Sequence, residues 1–360
     1  MSTETIFFGG FLAFIALMLA LDLGVFNRKD HAVSFKEAAV MSAIWVSLSV
    51  AFYVFLTMKG DIIHGITSLE QLQELVLKHQ HDVQLIAGDF ERSLEIYRKN
   101  LALEYISGYL VEYALSVDNI FVMVMIFTAF GVDKKYYHRV LFWGILGAII
   151  MRFIFIFLGA ALIARFDWIL YVFGVFLVYT GVMMYINRNQ EEEIDPENHK
   201  VVKFASKYFA VYPNYLGNNF FTRIDGKRMV TPLFLVLLVI EFTDVIFAVD
   251  SIPAIFAVTR DPYIVFFSNI FAILGLRSMF FLLVNILHKF HYLKVGLAFL
   301  LIFIGLKMLG HHYLQEWGFT TAHSLYIIIG ILALSVIASL AFPQKPRPGA
   351  PGGEPRRRDR

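Results

Sequence analysis

The sequence predicts an all-α polytopic membrane protein of about nine transmembrane helices, containing an inverted three-helix repeat. Three observations predict it. The 360 residues are 58% hydrophobic with mean hydropathy +0.65, which excludes an ordinary soluble domain. Nine apolar runs, each long enough to cross a bilayer, which takes ~20 residues, cover 5–26, 38–58, 101–130, 138–163, 167–187, 231–258, 262–287, 291–310 and 322–342. Spans three to five also resemble spans six to eight. A unit with an odd number of crossings must recur upside down, and inverted repeats are a mark of secondary transporters.

Residues 1–58 hold two N-terminal transmembrane helices. The N-terminus lacks a basic n-region and a small-residue cleavage site, so the first span reads as retained. Residues 59–100 form a mixed-charge insertion outside the cytoplasm, partly helical by the patterns SLEQLQELVLKHQ and FERSLEIYRKNLALEYI. The first three-helix unit covers 101–187, and a polar cytoplasmic loop opening NRNQEEEIDPE covers 188–230. The second unit covers 231–310, and the ninth transmembrane helix lies in 311–342. Residues 343–360, PQKPRPGAPGGEPRRRDR, read as a disordered basic tail. Across this topology 21 Lys and Arg fall in the loops and tail of one side and 7 on the other. The positive-inside rule then places the chain in the plasma (inner) membrane, N-terminus outside and C-terminus cytoplasmic. The arginine run of the tail fits topology or lipid contact, and nucleic acid is not an expected partner.

The most unusual stretch is Glu241–Pro253, EFTDVIFAVDSIP, inside an apolar run. Three carboxylates facing lipid there would cost about 8–10 kcal/mol in all, so Glu241, Asp244 and Asp250 must face protein, water or a cation. Pro253 lacks an N–H and crowds the carbonyl of Val249, which predicts a kinked or opened helix around Asp250 with freed carbonyl ligands. The pattern recurs in EYALSVDN, 112–119. Glu112 falls on Asp244, Asp118 on Asp250 and Asn119 on Ser251. Six residues turn a regular helix so that the paired acids stand about 120° apart. Either the helix is interrupted between them, or each acid faces a different neighbour. Further along, GILGAIIMR (144–152) matches NIFAILGLR (269–277), and Gly181-x-x-Met184 matches Gly305-x-x-Met308. Gly181 and Gly305 read as close-packing positions between helices.

The candidate buried acids are therefore Asp22, Glu112, Asp118, Glu241, Asp244 and Asp250, against Arg152, Arg277 and Lys307. The plainer reading is that acids and arginines pin helices together, with Arg152 and Arg277 as the pairing bases. The acids outnumber the bases, and an unpaired surplus in low dielectric must protonate or bind a cation. Asp118 with Asn119, and Asp250 with Ser251, are the first choice as direct metal ligands. Glu112, Asp244 and Glu241 fit flanking ligands or proton carriers, Glu241 and Asp244 sharing a helix face. This oxygen set suits Mn2+, Ca2+ or Mg2+. The chain has no cysteine, which removes disulfides, thiolate metal sites and thiol redox chemistry. Asp22 reads as a snorkelling or capping acid. His64, His79 and His81, with Asp61 and Asp82 nearby, read as a solvated loop ahead of a metal-collecting one, and His311-His312 likewise.

At GYLVEYALSVDNIFV (108–122) and EFTDVIFAVDSIPAIFAVTRDPYIVFFSNIFAILGLRSMFFLL (241–283) the sequence resembles the TerC family of integral membrane proteins. LDL (21–23), DWILYVFGVFLVYTGVMM (167–184) and FIGLKML (303–309) extend the resemblance. It implies tellurite resistance and manganese export, a place in the LysE-type transporter superfamily, and acidic motif residues at Glu112, Asp118, Asn119, Glu241, Asp244, Asp250 and Ser251. The 59–100 insertion and the basic tail depart from that pattern and are where membrane-protein partners would bind. The expected function is export of a divalent cation, manganese favoured, through a midplane acidic site, coupled to H+ or Na+, with no prosthetic group and no enzymatic activity. The alternative is a non-transporting membrane scaffold of a tellurite or stress-resistance complex. Intramembrane proteolysis lacks a recognisable aspartyl dyad, and a surplus of acids would repel tellurite itself.

Overall fold

The computed structural model describes residues 3–24, 34–188, 190, 194–196, 198–224, 226–284 and 292–342. The side chain of Asp22, residues 285–291 and the tail 343–360 lie outside the described residues. The chain is an all-α bundle. Its helices are α1 (Thr3–Gly24), α2 (Phe35–Lys59), α3 (Leu69–His79), α4 (Phe90–Ala129), α5 (Lys134–Arg165) and α6 (Ile169–Ile186). They continue with α7 (Lys200–Tyr208), α8 (Pro232–Phe256), α9 (Pro262–Leu283), α10 (Leu293–Leu309), α11 (His311–Glu316) and α12 (Thr321–Ala341). Among the described residues, α1, α2, α4, α5, α6, α8, α9 and α12 are long and apolar enough to cross a membrane. The ninth expected span, α10, has 17 residues and packs along α6.

Local chemistry sets the helix starts. Ser34 and Glu37 form a capping box at α2. Asp89, Asp133 and Asp261 accept backbone hydrogen bonds at the starts of α4, α5 and α9. Pro232 and Pro262 occupy first turns, where a missing N–H costs nothing.

Three expectations about individual elements change. The third span is not confined to 101–130: α4 starts at Phe90 and runs unbroken for 40 residues. Its FERSLEIYRKN segment is continuous with the apolar part because nothing in it breaks a helix. Glu104 on α4 meets Thr259 in the α8–α9 turn. The first fourteen residues of α4 therefore extend ~21 Å past that level at 1.5 Å per residue. The polar segment 188–230 carries α7 and a two-stranded antiparallel hairpin, β1 (Phe221–Ile224) with β2 (Lys227–Val230). Gly226, at φ +78°, supplies the left-handed conformation of its two-residue turn. Finally, α8 is one helix through Pro253, where a kink or opening was expected. Pro253 sits in the last turn and the helix ends three residues later at Phe256, so the lost hydrogen bond falls where the helix is stopping.

The central element is α9, almost wholly buried between α2, α4 and α5. One core cluster stacks Phe266, Phe267 and Phe271 of α9 with Phe11 of α1 and Tyr105 of α4, toward the end of the bundle that holds the insertion. A second joins Phe127, Val140, Leu233 and Phe280 toward the hairpin end. Outward faces carry exposed Ile150, Ile154, Leu158, Val175, Ile246 and Leu334, the side a lipid tail would cover. The expectation for Gly181 and Gly305 holds. A Cβ on Gly181 would lie 2.7 Å from Ala298 O, and one on Gly305 would lie 2.7 Å from Gly174 O. These contacts run in opposite directions along the two chains, so α6 and α10 are antiparallel with their backbones nearly touching.

Candidate cation site

The acidic positions separate into two neighbouring groups. The first centres on Arg152 of α5, which is fully buried. Its Nη1 donates to Glu112 Oε1 in a short contact and to Asn269 Oδ1 at 3.0 Å. Asn269 Nδ2 donates to Glu112 Oε2 at 3.2 Å. Arg152 Nη2 forms an ion pair with Asp244 Oδ1 at 3.5 Å. One guanidinium thus ties α4, α5, α8 and α9 together. Arg152 holds an acid of its own three-helix unit, Glu112, and one of the other, Asp244. Ser251 is buried beside Glu112 and belongs to this group.

The second group lies toward α6. Thr180 Oγ1 donates to Asp250 Oδ1 at 3.2 Å. Asp118 of α4 stands close enough to Asp250 for the two carboxylates to interact electrostatically. The two acids of each helix therefore face different neighbours, the second of the two arrangements the 120° offset allows. Neither α4 nor α8 is interrupted between its acids. Successive residues point about 100° apart, so Asp250 faces α6 and Ser251 faces α4.

Glu241 and Asp244 do share a face, both toward α5. Asp244 reaches Arg152, and the Glu241 carboxylate lies directly against the Cα of Gly147, where any Cβ would collide with it. Among the described residues no Lys, Arg or His forms an ion pair with Asp250 or Glu241. Asn119 is buried on α4 and Arg277 is buried on α9. Lys307 donates to the carbonyl of Ala257 at 3.1 Å, not to any of these acids. Among the described residues no three His, Asp or Glu side chains are gathered as a ready-made metal cage.

Sequence reasoning missed Thr180 and Asn269. Both are polar residues inside apolar spans, at 180 beside Gly181 and at the head of NIFAILGLR, and that signal was available. The reading of the insertion histidines as solvated is corrected. The side chains of His64 and His81 are buried with carboxylate partners, and His79, the last residue of α3, is buried between them.

A helical bundle that buries carboxylates and an arginine among apolar spans defines an integral membrane protein with a polar interior. The chain belongs to the TerC family, described as "Integral membrane protein TerC family", which matches residues 97–347. It is 46% identical over 331 residues to "Uncharacterized membrane protein STKORF319" of Myxococcus xanthus, covering 92% of this chain and 91% of that one. It is 41% identical over 334 residues to "Putative membrane-bound redox modulator Alx" of Escherichia coli (strain K12), covering 91% and 92%. An "Uncharacterized membrane protein" of Rickettsia bellii is 39% identical over 332 residues, covering 92% and 95%. No solved structure matches.

Proposed function

We propose that this chain is a membrane transporter that exports a hard divalent cation, manganese before calcium or magnesium, through the acidic interior between α4, α5, α6 and α8. The observation that carries the reading is the excess of buried negative charge. Arg152 offsets one of the charges of Glu112 and Asp244, while Asp250 and Glu241 have no basic partner among the described residues. A carboxylate held in low dielectric without a base must bind a proton or a cation. Asp118, Asp250 and the Thr180 hydroxyl form an all-oxygen set of the kind hard cations prefer. The lack of a closed cage suits cargo, which must leave as readily as it enters.

The inverted repeat belongs to this proposal. The contact of α4 with α9 has its counterpart in α8 with α5, both pairs running parallel, and α6 packs antiparallel on α10. An axis exchanging the two units requires these relations. The Lys and Arg distribution supports an inner-membrane orientation with the N-terminus and the insertion outside and the C-terminus cytoplasmic. H+ or Na+ is the coupling ion of this scheme. The scaffold reading is best supported for Glu112 and Asp244, whose bonds to Arg152 and Asn269 pin four helices. The relatives' name "redox modulator" has no thiol route here, since the chain has no cysteine.

The test is cation flux into proteoliposomes holding the full chain, with Mn2+, Ca2+ and Mg2+ compared under proton and sodium gradients. Wild type should show saturable Mn2+ flux, and Asp118→Asn and Asp250→Asn should lower it at least ten-fold with folding intact. Absence of flux for every cation, or full flux in both variants, would overturn the reading.

A further inference from the structure

At the insertion end, three buried histidines form a chain that the transport reading does not use. His64 follows the 3-10 turn Gly60–Ile63 at the end of α2. Its Nδ1 is 2.8 Å from Glu4 Oε1 of α1, and its Nε2 is 2.8 Å from Asp261 Oδ2 in the α8–α9 turn. Both ring nitrogens therefore meet carboxylate oxygens. Only the doubly protonated imidazolium can donate to two ionised acceptors at once. One proton on His64 thus joins three elements that are far apart in sequence. Gly65, at φ +63°, lies against Thr3 and brings α1 to the same place.

Behind His64 stand His79, with ring centroids 5.8 Å apart, and then His81, 5.9 Å further. His81 Nδ1 bonds both oxygens of Glu104, at 2.9 and 3.0 Å. Glu104 also accepts from Asn100 at 2.6 Å and from Thr259 at 2.5 Å. Glu104 and Thr259 line a cavity of about 70 Å³ that also holds Asp82, Arg260, Lys307 and His311. Among the described residues, the Nε2 atoms of His79 and His81 are buried without a hydrogen-bond partner.

We propose that Glu4, His64 and Asp261, backed by His79 and His81, form a proton-binding site that clasps the N-terminal end of α1 to the α8–α9 turn and releases it when His64 loses its proton. The ligand of this site is the proton itself. The charged and titratable groups facing His64 are Glu4 of α1, Lys78 and His79 of α3, and His81 beyond it. Asp261 faces it from the turn and Tyr263 from α9, while Tyr97 and Glu104 of α4 stand further off against His81, with Asp61 paired to Arg98 at 2.6 Å nearby. Carboxylates outweigh cations around the ring. Burial pulls the His64 imidazole down, but Asp261 and Glu4 outweigh it and raise its pKa to about 9. Asp261 is pushed up by burial, yet the His64 charge and hydrogen bond hold its carboxyl well below the usual range. A histidine raised above its unfolded value of about 6.5 stabilises the folded clasp fully below that pH. The contribution is lost as pH rises through about 9. The site therefore opens on the alkaline side.

Because the chain has no native cysteine, the exposed positions Ile6 of α1 and Leu77 of α3 can be changed to Cys and spin-labelled in the full chain in lipid nanodiscs. Electron–electron distance measurements from pH 6 to 10 should give one narrow distribution up to about pH 8. A longer component should grow with a midpoint near pH 9. His64→Gln should show the longer component already at pH 7. Glu4→Gln removes one stabilising carboxylate and should move the midpoint down by at least half a pH unit. If His64→Gln does not fold, Glu4→Gln alone decides. An invariant wild-type distribution, or a Glu4→Gln midpoint equal to wild type, overturns the proposal. The readout needs no cation flux, so its failure and that of the transport reading are separate.

Discussion

Replacing Arg152 with Met tests whether its guanidinium organises the interior. Arg152 faces two carboxylates and one amide, all on other helices: Glu112, Asp244 and Asn269. Arg152→Met leaves both acids buried without their base. Removing one partner of a buried pair costs about 3–5 kcal/mol, and with two acids stranded the upper end of that range is expected. Glu112→Leu is milder. Arg152 keeps Asp244 at 3.5 Å and Asn269 at 3.0 Å, so no charge is stranded, and the loss is the charged hydrogen bond from Arg152, about 1.5–3 kcal/mol, with the weaker one from Asn269 at 3.2 Å. The double variant removes the Glu112–Arg152 pair but still strands Asp244. It should be less destabilised than the sum of the singles by about 1–3 kcal/mol, without returning to wild type. Equilibrium unfolding in mixed micelles, followed by tryptophan fluorescence, measures all three. The reasoning is refuted if Arg152→Met lies within 1 kcal/mol of wild type, if Glu112→Leu is the more damaging single change, or if the two effects simply add.

Two further outcomes follow from local geometry. Gly305→Ala places a Cβ 2.7 Å from Gly174 O and 2.9 Å from Val178 N, backbone atoms that cannot swing aside. It should cost about 1–3 kcal/mol by forcing α6 and α10 apart, whereas Gly330→Ala on α12, with no atom within 4 Å, should gain up to about 1 kcal/mol from helix propensity; thermal unfolding of the two variants compares them. Burial holds His79 below its ordinary pKa, so the unfolded chain binds its proton first as pH falls. Its contribution is present above about pH 6.5 and lost below it, and His79→Leu should flatten the acid limb of a stability–pH curve between about pH 6.5 and 5.

The sequence alone determined the membrane class, because a run of some twenty apolar residues has few places to go but a bilayer. It also marked the charged residues set inside apolar runs, since a carboxylate there is too costly to face lipid. Glu112, Asp118, Glu241, Asp244, Asp250 and Arg152 all stood out in this way, as did Gly181 and Gly305 by their spacing. Helix starts at Ser34, Asp261 and Pro232 follow from capping chemistry that acts within four residues. What only the tertiary structure decided is which charge meets which. The 100° step between neighbours on a helix separates Asp250 from Ser251, yet it cannot say which helix each will face. That Arg152 would take Glu112 and Asp244, leaving Asp250 to Thr180, depends on how α5 and α6 lie against α8. The histidines show the same limit most clearly. Read along the chain, His64, His79 and His81 sit in a polar, charged segment and look solvated. Their burial arises because α4 continues past the turn and α3 folds back over it, bringing Glu4, Glu104 and Asp261 to them from about 60, 23 and 197 residues away. Local pattern reports what a residue costs to bury; only the packing of distant segments supplies the partner that makes burial affordable.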